Sequence, residues 1–365
     1  MSFHVFCRLL ESRWYLKIPR IHHLRSASCS FAILPACCPR QLTTAQAPPQ
    51  PRHRIGSWIL DVAACGISKQ YRLNKAVRAQ DFKAPLFADL APLGLDNDRR
   101  CGEDAFCVVS PNRGLHAASC MLVVAVADGV GGWASVGADP GVVSHFLMKA
   151  LHAAVANTAR DISTPLALLS SAYDMMQSEV KPDLVGSTTA CVTYYSQIET
   201  GDLQLQSINL GDSGFIVIRH GEFIAYRSQA QLHGGTAPYQ MAVVPPHSRY
   251  ARDSYISDKP AAGHQHSLAL KDGDLVISGT DGLFDNIDGD GVLKIIKDVN
   301  AFARAMNTTP SKGTTPTPAS QEPAATHPYG PTAYMFALTL AASAVHGRKV
   351  DDITVTVTTV RKQLL

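Results

Sequence analysis

Residues Val123–Trp133 read VVAVADGVGGW: five small or branched apolar residues run straight into a carboxylate, Asp128, and a glycine-rich turn follows. A carboxylate at the tip of an apolar strand is costly unless something pairs with it. The arrangement recurs. LQLQSINL (203–210) runs into Gly211-Asp212-Ser213-Gly214, and DLVISGT (274–280) runs into Asp281-Gly282-Leu283-Phe284-Asp285-Asn286. Gly102-Glu103-Asp104 precedes AFCVVS, and the last strand begins at Asp351-Asp352. Taken singly, each Asp-Gly reads as a turn dipeptide. Several such tips with few bases beside them are harder to dismiss. If they converge, mutual repulsion would raise their pKa values and protonate some of them. A divalent cation removes that conflict, and oxygen donors without His or Cys suit Mg2+ or Mn2+ rather than zinc. An aspartate bridging two such ions gives a binuclear site, where water ionises readily and attacks phosphorus in line.

The surrounding pattern is that of an α+β protein. Short strand signals lie at 105–110, 121–127, 187–195, 202–210, 214–227 and 267–279, and DITVTVTTV (352–360) closes the chain with period-two alternation. His220-Gly221 marks one hairpin turn and Lys271-Asp272-Gly273 a second. Helical periodicity covers 142–159, where Asp139-Pro140 supplies a cap and a first-turn proline, and also 164–180, 292–306 and 334–345. Strand pairs on both sides of a two-helix segment do not alternate as βαβ units, so the expectation is antiparallel sheets with helices packed outside. The Thr/Pro-rich stretch 307–331 has too little apolar material to fold and is read as a disordered insertion.

Charge divides the chain. The 365 residues carry a net +3, but residues 1–80 balance at +10 and the rest at −7. A mildly acidic body gives no electrostatic case for nucleic-acid binding. The start, MSFHVFCRLLESRWYLKIPRIHHLRSASCSF, is amphipathic, rich in arginine and poor in acids, as mitochondrial transit peptides are. Residues 1–80 are therefore read as a largely disordered targeting segment and linker, with the folded body at 81–365. No apolar run reaches the length of a membrane span. The nine cysteines are odd in number, scattered and without a CxxC, which argues against a disulfide framework and a structural zinc site. Cys120 and Cys191 read as core.

The motifs GEDAF (102–106), VADGVGGW (126–133), GSTTA (186–190), NLGDSG (209–214), SGTDGLFDN (278–286) and DDITV (351–355), in that order, resemble the metal-dependent type 2C Ser/Thr protein phosphatases, in particular their mitochondrial branch. The resemblance spans about Asp96 to Val360. It implies a four-layer αββα sandwich with two central antiparallel sheets, a monomer acting on phosphorylated proteins, and a location in the mitochondrial matrix. It further implies that Asp128 bridges two Mn2+ or Mg2+ ions, that the Gly129 carbonyl and Glu103 (through water) serve one ion, and that Asp281 and Asp351 serve the other. Asp212 and Asp285 match a third, weaker metal position, Asp104 stands behind Glu103, and Arg99 matches the arginine that grips the substrate phosphate, with Arg100 its rival in register. One departure stands out: many members carry histidine after the bridging Asp-Gly, as general acid, and this chain has Val130. That keeps open a catalytically silent scaffold, and a phosphatase of small metabolites is a further alternative.

Other residues read as structural. His145 and His233 are expected to be surface or satisfied core histidines, and Ser187-Thr188-Thr189 to pack beneath the site. Asp352 is expected in a turn or behind Asp351. Trp133 fits a pocket wall or a core position equally. Gly131-Gly132 lacks the Lys-Ser/Thr of a P-loop, and Ser213 lacks a nucleophile elbow.

Overall fold

Both faces of the strand Met121–Asp128 are buried, which is why its sequence shows no alternation. Leu122, Val124 and Val126 enter one hydrophobic core, while Val123, Ala125 and Ala127 enter another. The computed structural model describes residues 52–70, 101–111, 121–156, 164–178, 184–246, 255–307 and 333–363. Its strands are β1 (Arg52–Ile55), β2 (Trp58–Ile67), β3 (Asp104–Val109), β4 (Met121–Asp128), β5 (Gly186–Thr188), β6 (Ala190–Gln197), β7 (Leu203–Leu210) and β8 (Gly214–Arg219). They continue as β9 (Phe223–Arg227), β10 (Leu232–His233), β11 (Ala237–Pro238), β12 (Met241–Val243), β13 (His264–Leu270), β14 (Leu275–Gly279) and β15 (Ile353–Lys362). The α-helices are α1 (Gly141–Ala156), α2 (Pro165–Ser178), α3 (Asp281–Phe284), α4 (Gly289–Asn307) and α5 (Ala333–Ala344). All of these strands and helices lie in one unit, Gln50–Arg304 with Thr315–Leu365, save the last three residues of α4.

Two antiparallel sheets carry the fold, a six-stranded one ordered β1-β2-β15-β14-β8-β9 and a five-stranded one ordered β13-β7-β6-β4-β3. Phe106, Leu122, Val124 and Tyr195 of the second pack against Leu60, Val62, Phe215, Val217 and Val276 of the first. On the outer face of the five-stranded sheet sit Val143, Leu147 and Leu151 of α1 and Leu168, Leu169 and Met176 of α2. Helix α5 packs on β2 and β15. The result is the expected αββα sandwich. Alternation in β15 does not separate inside from outside: Thr354, Thr356 and Thr358 are as buried as Val355 and Val357. From the facing sheet, the Tyr195 hydroxyl donates to Thr358 Oγ1 at 3.3 Å.

Helix α1 starts as read, with Asp139 Oδ1 accepting from the Gly141 N–H at 3.0 Å. His220 and Gly221 both take positive φ (53° and 70°), and Glu222 N–H donates to the Arg219 carbonyl, closing the β8–β9 hairpin. Three readings are corrected. The segment 52–67 is not linker: β1 and β2 form a hairpin, and β2 pairs with β15 from Trp58↔Lys362 to Ile67↔Ile353. Its small residues and its place in the basic N-terminal region hid it, yet Leu60, Val62, Cys65 and Ile67 are buried. The turn at Lys271–Asp274 forms, with Asp274 N–H donating to the Lys271 carbonyl at 3.1 Å. It does not close a hairpin, because β13 pairs with β7 in one sheet and β14 with β8 and β15 in the other. The stretch 187–195 is two strands, interrupted at Thr189. Residues 1–51, Arg99, Arg100, Cys120 and 308–331 lie outside the described residues.

Candidate metal centre

Sheet register brings the acidic tips together. Asp104 pairs opposite Asp128 across β3 and β4. In the facing sheet, Gly279 ends β14 opposite Gly214 of β8 and Val355 of β15. The turns just beyond these ends carry Asp212, Asp281 and Asp351. Asp128, Asp212 and Asp281 each place a carboxylate oxygen within 4.8 Å of the others. Glu103, Gly129, Asp285 and Asp351 line the same cleft, about 660 Å3 in volume. Asp212 Oδ1 and Asp281 Oδ1 are buried, and no hydrogen bond reaches them. Buried, unpartnered anionic oxygens converging without His or Cys suit a hard divalent cation.

The shell behind these acids is well determined. Asp128 is fixed at its backbone: its N–H donates to Thr189 Oγ1 at 3.0 Å, and its carbonyl accepts from Thr188 Oγ1 at 2.9 Å and from the Thr189 N–H at 3.0 Å. Packing beneath the site and a hydrogen bond to a metal ligand are the two readings of these threonines, and here they hold the backbone of the central aspartate. Gly129 donates its N–H to the Glu103 carbonyl at 3.1 Å. A Cβ there would meet the Pro140 carbonyl oxygen at 2.3 Å, so only glycine lets the two chains approach. Asp352 Oδ2 accepts from the Glu103 N–H at 2.9 Å, and Asp104 Oδ2 from the Thr280 hydroxyl at 2.7 Å. Asp352 therefore stands behind the ligand candidates, as read.

The electrostatics are one-sided. Burial, then Asp104, Asp281, Asp351 and Asp212, push the Asp128 carboxyl well above the usual carboxylate range. Burial and Asp281 push Asp212 up to about 6. Asp104, Asp281 and Asp352 are also raised, each first by burial. Excess negative charge is what a bound cation would relieve.

Two lysines absent from the sequence reading reach this charge. Lys69 Nζ lies 2.5 Å from Glu103 Oε2, and Lys349 Nζ contacts Asp281, Asp285 at 2.9 Å and Asp351 at 3.2 Å. Lys69 was hidden by its assignment to the linker. Arg227 also lines the cleft, its guanidinium 5.5 Å from the Phe284 ring centre. Val130 lines it too. The two histidines are occupied elsewhere: His145 Nε2 lies 3.2 Å from the Gly102 carbonyl, and His233 Nε2 lies 2.9 Å from Asp258 Oδ2. Trp133 is half-buried and donates its indole N–H to Ser187 Oγ at 2.6 Å.

Residues 119–317 match the family described as Stage II sporulation protein E (SpoIIE). The protein phosphatase PTC7 homolog fig of Drosophila virilis is 37% identical over 234 residues, 64% of this chain and 69% of that protein. The human protein phosphatase PTC7 homolog is 32% identical over 243 residues, 66% of this chain and 68% of the other. For the Drosophila willistoni homolog fig the match is 38% over 200 residues, 55% of this chain and 59% of that one. The structure of the photosystem II phosphatase PBCP aligns with 82% of this chain and 98% of its own at a TM-score of 0.47 and 22% identity.

Proposed function

This chain belongs to the metal-dependent, type 2C family of Ser/Thr protein phosphatases, and we propose that it hydrolyses phosphoserine and phosphothreonine in proteins at a centre of two Mn2+ or Mg2+ ions, with a third, weaker position. The observation that carries this reading is the convergence of Asp128, Asp212 and Asp281, two of them with buried oxygens that nothing in the chain satisfies. Asp128 would be shared between the two ions, the Gly129 carbonyl and, through water, Glu103 would hold one, Asp281 and Asp351 would hold the other, and Asp212 and Asp285 would hold the third. When bound, the ions supply a water-derived nucleophile at neutral pH and offset charge on the phosphate.

The chain's own part is positioning. Thr188 and Thr189 hold the backbone at Asp128, and Asp352 holds that of Glu103. Arg99 grips the phosphate oxygens through its planar fork. Val130 offers no proton beside the central aspartate, so water or another side chain of the cleft would protonate the leaving serine oxygen. Turnover of a phosphoserine peptide by the full chain with Mn2+, abolished by EDTA, is the expected result; turnover that survives EDTA would refute the mechanism. The rival favoured by Val130, a scaffold without catalysis, requires no turnover with any metal.

The basic, acid-poor start supports mitochondrial targeting by residues 1–51, with delivery to the matrix. Fusing those residues to a fluorescent protein tests it, and cytosolic fluorescence would overturn it. The enzyme acts as a monomer, which size-exclusion chromatography with light scattering checks. Among the described residues no helix is long and apolar enough to cross a membrane.

A further inference from the structure

The acidic cleft is shared between two sets of carboxylates, and Asp281 belongs to both. Toward Asp128 and Asp212 it presents an oxygen that can join theirs around one ion. Its Oδ2 is already taken, by the ammonium of Lys349, which also reaches Asp285 Oδ2 at 2.9 Å and Asp351 Oδ2 at 3.2 Å. Three carboxylates around one positive charge is the arrangement a metal ion would seek.

The placement of that ammonium is built into the backbone. Asn286, just after α3, accepts the Lys349 N–H at 2.8 Å and donates its Nδ2 to the Lys349 carbonyl at 3.0 Å and to the Gly282 carbonyl at 2.8 Å. One amide side chain thus ties the segment before β15 to the helix that starts at Asp281. Gly347 makes this possible, since a Cβ there would lie 2.1 Å from Asn286 Oδ1. Lys349 and Asp351 both reach the cleft from this segment. The Lys349 side chain remains 39% exposed, so it can swing into solvent while its backbone stays clamped.

Resting on the metal-dependent reading above, we infer that Lys349 is a built-in cation that occupies the Asp281–Asp285–Asp351 side of the cleft and must be displaced before a divalent ion settles there. Without metal it lessens the repulsion among these acids. With metal it competes for the same oxygens, so the Asp281–Asp351 position binds more weakly than it would without the ammonium. The chain therefore loads that position only when divalent metal is abundant.

The test is Mn2+ binding to the full chain, followed by isothermal titration calorimetry and by the electron paramagnetic resonance signal of free Mn2+. Wild type should show two classes of site. In K349M the weaker class should tighten about tenfold or more, the effect of removing one unit charge from a partly exposed site, while the tighter class stays put. K349R keeps the charge and should behave as wild type; K349Q replaces K349M where methionine costs the fold. In EDTA, K349M should melt lower than wild type, and Mn2+ should raise its midpoint by more. An unchanged or weakened second class in K349M overturns the competition. Absence of any bound Mn2+ in both wild type and K349M overturns the metal-dependent reading as well.

Discussion

Strand β14 has an aspartate at each end, and the two have opposite surroundings. At its start, Asp274 is fully buried, yet Arg219 grips it with Nε at 3.2 Å and Nη2 at 3.0 Å, and the Lys271 N–H adds a third bond at 2.8 Å. At its far end, Asp281 faces Asp128 and Asp212 across a cleft. Both ends carry an Asp-Gly, KDGD at one and GTDG at the other. An acid with a guanidinium built beside it is a strut. Acids gathered with fewer bases than charges are a demand for a cation from outside. Pairing, rather than burial or motif, separates the two.

Substitution should break this contrast in opposite directions. Asp128→Asn is expected to cost about 100-fold or more in kcat/KM on a phosphopeptide, while the EDTA-treated protein melts no lower than wild type, because one repelling charge is gone. Asp274→Asn is expected to do the reverse. It leaves the Arg219 guanidinium, 16% exposed, without its counter-charge, and should lower stability by about 3 kcal/mol in urea denaturation with turnover per folded molecule retained. If Asp274→Asn removed activity and left stability alone, the contrast would be void.

A pH series sharpens it. Burial and Asp281 hold the Asp212 carboxyl at about 6, above its unfolded value. Between those values the folded chain keeps a proton that the unfolded chain releases, so metal-free stability should fall as pH rises from about 4 to about 6. Mn2+ should flatten that slope; thermal melts in EDTA and in Mn2+ measure both. The smallest effect belongs to Thr189→Val, which removes the acceptor for the Asp128 N–H. A loss of about 1 kcal/mol and a few-fold lower kcat are expected from melts and steady-state kinetics.

The sheets and the acid tips were legible because each depends on local pattern. The buried run 121–127 and the turn at His220-Gly221 declare themselves within a few residues. The convergence of Asp128, Asp212 and Asp281 was legible only as a recurrence, strand tip after strand tip. What stayed hidden depends on contacts remote in sequence. Strand β2 is recognisable through its partner β15, nearly three hundred residues on. The crossing of 271–274 from one sheet to the other is set by which neighbours β13 and β14 find, and a turn signal looks alike in both cases. Lys69 and Lys349 acquire meaning only once the cleft exists.

The hairpin at 52–67 sets how much of the N-terminal region the six-stranded sheet needs. Strand β2 sits second from the edge of the six-stranded sheet, between β1 and the strand that follows Asp351. A truncation that spares the sheet has to stop before Arg52, where β1 begins to pair with β2. A truncation to residue 80 would pull a full strand out of the sheet, beside the strand that follows Asp351.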